Sequence, residues 1–70
     1  MTPESVAEIF AAAETAVVDA LRVVVRHTMT IYHRCPTACE AVLCAVLGEF
    51  LGREIDPKYV HLFVDFLTAS

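Results

Sequence analysis

Residues 3–32 read PESVAEIFAAAETAVVDALRVVVRHTMTIY, a run with no glycine and, after Pro3, no proline before Pro36. Thr2 stands where an N-cap is wanted and Pro3 at the first helical position, with Met1 and Val6 at the spacing of a hydrophobic staple. From there Val6, Phe10, Ala13, Val17, Ala20, Val24, His27 and Ile31 recur at spacings of four and three, flanked by Ile9 and Leu21. Glu4, Glu8, Thr15, Asp19, Arg22 and Arg26 fall on the opposite side. This is an amphipathic helix with acids toward its N-terminus and bases toward its C-terminus, the order that suits the macrodipole. Val23-Val24-Val25 and Thr28 to Tyr32 are rich in β-branched side chains, which lowers helix propensity, but only Pro36 ends the run. The expectation is one continuous helix over about 3–32.

That length has a physical consequence. About 30 residues at ~1.5 Å each make a rod of roughly 45 Å. A compact chain of this length has a radius of gyration near ~11 Å and a diameter of about 30 Å. An unbroken helix would overhang its own monomer and carry valine and phenylalanine on the overhang.

Two shorter helices are expected to follow. CPTACE offers Thr37 and Glu40 as a capping box for a helix over about 37–51. Val42, Leu43, Val46, Leu47 and Phe50 form its bulky side, and Ala41, Ala45, Gly48 and Gly52 its small side. A helix without a polar face is a buried one, so this helix is placed at the centre of the assembly, its small side against another helix. The competing use of Gly52 is as the residue just past the helix end. Asp56-Pro57-Lys58 starts a third helix over about 57–68, with Asp56 as N-cap and Ile55 and Val60 as a staple pair. The short Gly52–Ile55 turn makes the last two helices a hairpin.

Composition points the same way. The 70 residues suffice for one domain, 1–70, yet 57% of them are hydrophobic, only 20% are charged, and mean hydropathy is +0.60. A membrane span is excluded, because Glu8, Glu14, Asp19, Arg22 and Arg26 interrupt the first apolar segment and Gly48 and Glu49 the second. The opening MTPESVAEIF lacks a positive region, so no secretory leader is expected. Excess apolar surface is then expected to be covered by a second copy, giving an all-α, three-helix, intertwined homodimer. Val6, Phe10, Val17, Val24, Ala41, Ala45 and Gly48 are the expected interface.

The stretch HRCPTACEAVLC, residues 33–44, carries most of the potential chemistry. Cys35 and Cys39 are spaced to hold one edge of a metal site with His33 or His27, but Cys44 lies about 140° further round the helix and the usual second ligand pair is missing. A Cys35–Cys39 disulfide within one turn has poor geometry. Three cysteines is an odd number, and reduced thiols in the cytoplasm are expected. Buried packing is the ordinary role of cysteine and is assigned to Cys39 and Cys44. No metal and no cofactor is expected, with His33, Cys35 and Cys39 as the alternative ligand set. His61 and Asp65 read as a surface pair, and no nucleophile, phosphate loop or metalloprotease motif is present, so an enzyme is not expected.

A net charge of −4 opposes nucleic-acid binding, apart from the acid-free stretch 22–34 holding Arg22, Arg26, His27, His33 and Arg34. The function expected is therefore protein binding, as a dimeric regulator, adaptor or inhibitor of a partner protein; small phage inhibitors of host factors are one class of that size. Arg22, Arg26, His33 and Arg34, with Tyr59, Phe63 and Phe66, form the expected contact surface, since arginine and aromatics carry binding energy. The other readings are a thiol- or metal-responsive sensor using Cys35 and Cys39, and a nucleic-acid-associated regulator using 22–34.

Overall fold

The stretch expected to be one helix is two helices joined by an elbow. In the computed structural model, which describes residues 1–69, the chain runs α1 (Pro3–Ala12), α2 (Thr15–Ile31), α3 (Pro36–Leu51), a 3₁₀ turn (Pro57–Tyr59) and α4 (Val60–Thr68). Every element among the described residues is helical, but a continuous helix over 3–32 and a three-helix order are corrected to four α-helices.

Ala13 and Glu14 make the elbow, both extended, at φ −84°, ψ 155° and φ −66°, ψ 143°. The Ala13 N–H donates to the Phe10 carbonyl, while the Glu14 carbonyl accepts from Val17 and Val18. Local propensity does not ask for this bend: Ala11, Ala12 and Ala13 belong to the best helix-forming residue type. Its cause is tertiary. Bending lets α1 bury Val6 and Phe10 against α4. The Phe10 ring stacks on Phe66 (centroids 4.6 Å apart, planes 3°) and meets Phe63 edge-on (5.9 Å, 69°). Full burial of two such side chains contributes about 1.5–3 kcal/mol each, and each aromatic pair about 0.5–1.5 kcal/mol more. The elbow forgoes three or four intrahelical hydrogen bonds, each worth about 1 kcal/mol net. Packing wins.

The bend also resets the register. In α2 the buried positions are Leu21, Val25 and Thr28, one residue off the expected stripe. Val17, Ala20 and Val24 are left half-buried, His27 exposed, and Ile31 71% exposed. The Thr28 hydroxyl is satisfied by donating to the Val24 carbonyl at 2.9 Å.

The overhang disappears with the bend. The radius of gyration is 11.2 Å and the molecule measures 32 × 23 × 21 Å. Its accessible surface of 4592 Å² is close to the roughly 4,300 Å² expected of a folded monomer of 7.7 kDa. The length argument for a homodimer therefore falls.

α4, not α3, is the central element: it touches α1, α2 and α3, and buries Val60, Phe63 and Leu67. α3 leans on α2 through Leu43 and Leu47 and leaves Ala38, Ala41 and Ala45 exposed. The α4 C-terminal end is held from α2, where Arg22 Nη1 donates to the Leu67 carbonyl at 2.7 Å. That carbonyl lies in the last turn, where no intrahelical donor remains.

Most helix starts and stops are those written in the sequence. The Thr2 hydroxyl accepts from the Ser5 N–H at 3.2 Å, and the Asp56 carboxylate from the Lys58 N–H at 3.0 Å. Ile55 and Val60 are both buried, as is Val6, whereas Met1 stays 48% exposed. Thr37 is not an N-cap. The cap is Cys35, two residues earlier, Pro36 is the first helical residue, and the expected capping box with Glu40 does not form because Thr37 lies inside the helix. Gly52 ends α3 at φ 66°, in the left-handed region. The Arg53 N–H then returns to the Gly48 carbonyl at 3.1 Å, the six-to-one bond of a Schellman motif. This turn brings the Arg53 carbonyl within 2.9 Å of where a Cβ on Gly48 would lie. Gly48 is thus required by its own helix end and offers no open small face.

Phe10→Ala is expected to remove about 3–5 kcal/mol, most of the stability of a chain this size, measured by urea unfolding followed by circular dichroism. Gly48→Ala is expected to destabilise by about 1 kcal/mol or more despite alanine's better helix propensity, because a backbone carbonyl, not a flexible side chain, blocks the methyl. An increase in the urea midpoint of Gly48→Ala would contradict this account of the α3 terminus.

Candidate functional site, a cleft between α2, α3 and α4

α2, α3 and α4 meet imperfectly where α2 ends. Tyr32, His33 and Arg34 form the turn that carries the chain from α2 to α3. The resulting cleft has a volume of about 420 Å³ and opens to solvent. Its floor is apolar: Leu43 from α3 and Val60 from α4 are buried, and Val64 and Met29 line the sides. Its rim is polar and exposed: His33, Glu40, His61 and Asp65. Tyr32, Pro36 and Cys39 complete the wall.

The helical periods explain how the rim assembles. His61 and Asp65 are four apart in α4 and so lie on one side of it. Glu40 lies three residues before Leu43 in α3, on the rim above that floor residue. The His33 ring is oriented by its own turn, Nδ1 lying 2.9 Å from the Thr30 carbonyl. A carbonyl only accepts, so Nδ1 carries the hydrogen, and in the neutral ring Nε2 is left as an acceptor. With histidines neutral, the rim carries two negative charges and no positive one among its lining residues.

The expected contact surface is largely taken apart by the fold. Arg22 is half-buried and engaged with the end of α4. Arg26 and Arg34 are exposed, and of the basic stretch only His33 reaches the cleft. Phe63 is 0% exposed in the core and is corrected from a contact residue to a core residue. Phe66 is half-buried and stacked on Phe10. Tyr59 is half-buried with the Lys58 ammonium 5.1 Å above its ring. Among the expected dimer residues, Val6 and Phe10 belong to the chain's own core, Val17 and Val24 are half-buried, and Ala41 and Ala45 are exposed.

The cysteines separate likewise. Cys35 is exposed; Cys39 and Cys44 are half-buried and packed against the core. Burial, with smaller contributions from Glu40 and Asp56, pushes the Cys44 thiol above its ordinary value and keeps it protonated. Among the described residues no group of three His, Cys, Asp or Glu side chains is placed to hold a metal ion, so His33, Cys35 and Cys39 are not brought together as ligands. Nor, among those residues, is any helix long and apolar enough to cross a membrane.

Sequence reasoning overlooked Met29, Glu40, Leu43, Val60 and Val64 as site residues. The only available signal was the i,i+4 spacing of His61 and Asp65 on a helix otherwise apolar, a spacing that ordinary surface pairs share. Titration with a disulfide reagent at neutral pH is expected to modify Cys35 first and Cys44 last; a fast Cys44 would overturn the burial assigned to it. No family model, curated protein or solved structure matches the chain.

Proposed function

We propose that this chain is a small non-enzymatic protein-binding module, a regulator, adaptor or inhibitor that engages a partner through the cleft between α2, α3 and α4. The observation that carries the reading is the pairing of an apolar floor (Leu43, Val60, Val64, Met29) with the carboxylates of Glu40 and Asp65 at the rim. The volume is at the small end of the range for binding pockets, about 300–1,000 Å³. Such a cleft suits an apolar anchor residue of an amphipathic segment, flanked by lysine or arginine that meets the rim. Binding is favoured over catalysis because the rim groups are exposed, where water screens the electrostatic stabilisation that catalysis draws on. Three free cysteines fit a reducing compartment such as the cytoplasm.

Peptides selected by display on the folded chain test this. The expected winners carry a large aliphatic or aromatic residue next to a basic one. Met29→Lys alters an exposed wall residue, so the fold is retained, and is expected to weaken those peptides at least tenfold, about 1.4 kcal/mol. Glu40→Gln with Asp65→Asn is expected to weaken them severalfold and to remove their salt dependence. Peptides bound equally well by both variants would sink the proposal.

A further inference from the structure

Two observations about the elbow converge. First, Ala13 and Glu14 are extended within a sequence that favours helix, and no glycine, proline or left-handed backbone holds them there. What holds the bend is the seat of α1 on α4, through Val6 and Phe10. Second, α2 leaves a stripe incompletely covered: the apolar Ala20 and Val24 half-buried and Ile31 exposed, with the exposed polar His27 between them. At about 100° per residue, straightening the elbow would bring that stripe into line with Val6, Phe10 and Val17.

We propose that two copies of this chain exchange α1. In the exchanged form the elbow straightens, residues 3–31 form one helix, and each α1 places Val6 and Phe10 against Phe63 and Phe66 of the other copy. The α1–α4 packing is the same in both forms, so exchange neither gains nor loses core contacts. The helical hydrogen bonds interrupted at Ala13 and Glu14 are restored, and the continuous stripe from Val6 to Ile31 faces the second copy. Against this stands the lost independence of two chains, so the balance follows protein concentration. The short two-residue hinge is the kind of connection at which exchange occurs. α1 does not line the cleft between α2, α3 and α4, so this inference and the proposed binding function stand or fall separately.

α1 must leave its seat before exchange, so the exchanged form should persist once made. The wild-type chain is refolded from denaturant at millimolar concentration, diluted to micromolar and sized by chromatography with light scattering. The expected result is a species of twice 7.7 kDa that outlasts dilution. Glu14→Pro fits the closed chain, since Glu14 already has φ −66° and Ala13 the extended ψ that precedes proline, but it breaks a continuous helix. It is expected to abolish the dimer with circular dichroism unchanged. Glu14→Ala is expected to raise the dimerisation constant roughly threefold to fivefold, through better helix propensity at two elbows. Only monomer from the refolded wild type, or a dimer undiminished in folded Glu14→Pro, overturns the proposal. Should Glu14→Pro fail to fold, an unchanged constant in Glu14→Ala overturns it.

Discussion

The contact of Phe10 with Phe63 and Phe66 is the interaction on which the arrangement rests. Through it α1 folds back across α4. A ten-residue helix such as α1 has little helical stability of its own in water, so it persists only while its apolar side is seated. The same contact consumes aromatic surface on α4. Phe63 and Phe66 close the core of the chain itself, which is why a sequence of high mean hydropathy has the accessible area of an ordinary monomer.

With Phe10, Phe63 and Phe66 turned inward, the large apolar groups that remain outside are scattered. Met1 ahead of α1, Val23 and Ile31 on α2, Phe50 near the end of α3 and Met29 beside the cleft are the exposed large apolar groups. Met29 adjoins the cleft with Glu40 and Asp65, whereas Phe50 lines a separate hollow with Glu14 and Arg53. Arg22 illustrates how the fold reassigns polar groups as well. Its guanidinium satisfies the Leu67 carbonyl at the end of α4, a structural use that its place in a basic stretch does not disclose.

The helix ends were legible where a side chain meets its own backbone. Thr2, Asp56 and Gly52 act within a turn of themselves, and each does in the structure what its chemistry suggests. The elbow was not legible, because nothing local causes it. Ala13 and Glu14 bend so that residues about fifty positions later can cover Phe10, and a reading by periodicity carries the first stripe straight on through residue 31. That error propagated: the true face of α2 centres on Leu21, Val25 and Thr28, and the overhang that implied a second copy came from a rod that is bent. Thr37 was misread for a narrower reason. Pro36 takes the first helical position and leaves Cys35 as the boundary, so the capping-box spacing falls inside the helix. The cleft was out of reach, since its walls come from three helices whose relative placement no spacing encodes.

The central position of α4 bears on how the chain is made as well as how it stands. A polypeptide leaves the ribosome from its N-terminal side, and α4 is the last of the four helices to be translated. Until it emerges, Val6 and Phe10 have no surface to settle on and Leu21 lacks part of its cover. The nascent segment therefore carries bare hydrophobic side chains until α4 follows α1, α2 and α3, the circumstance in which chaperones bind and unfinished chains cluster. Assembly of the four helices is in that sense a single late event, completed by α4.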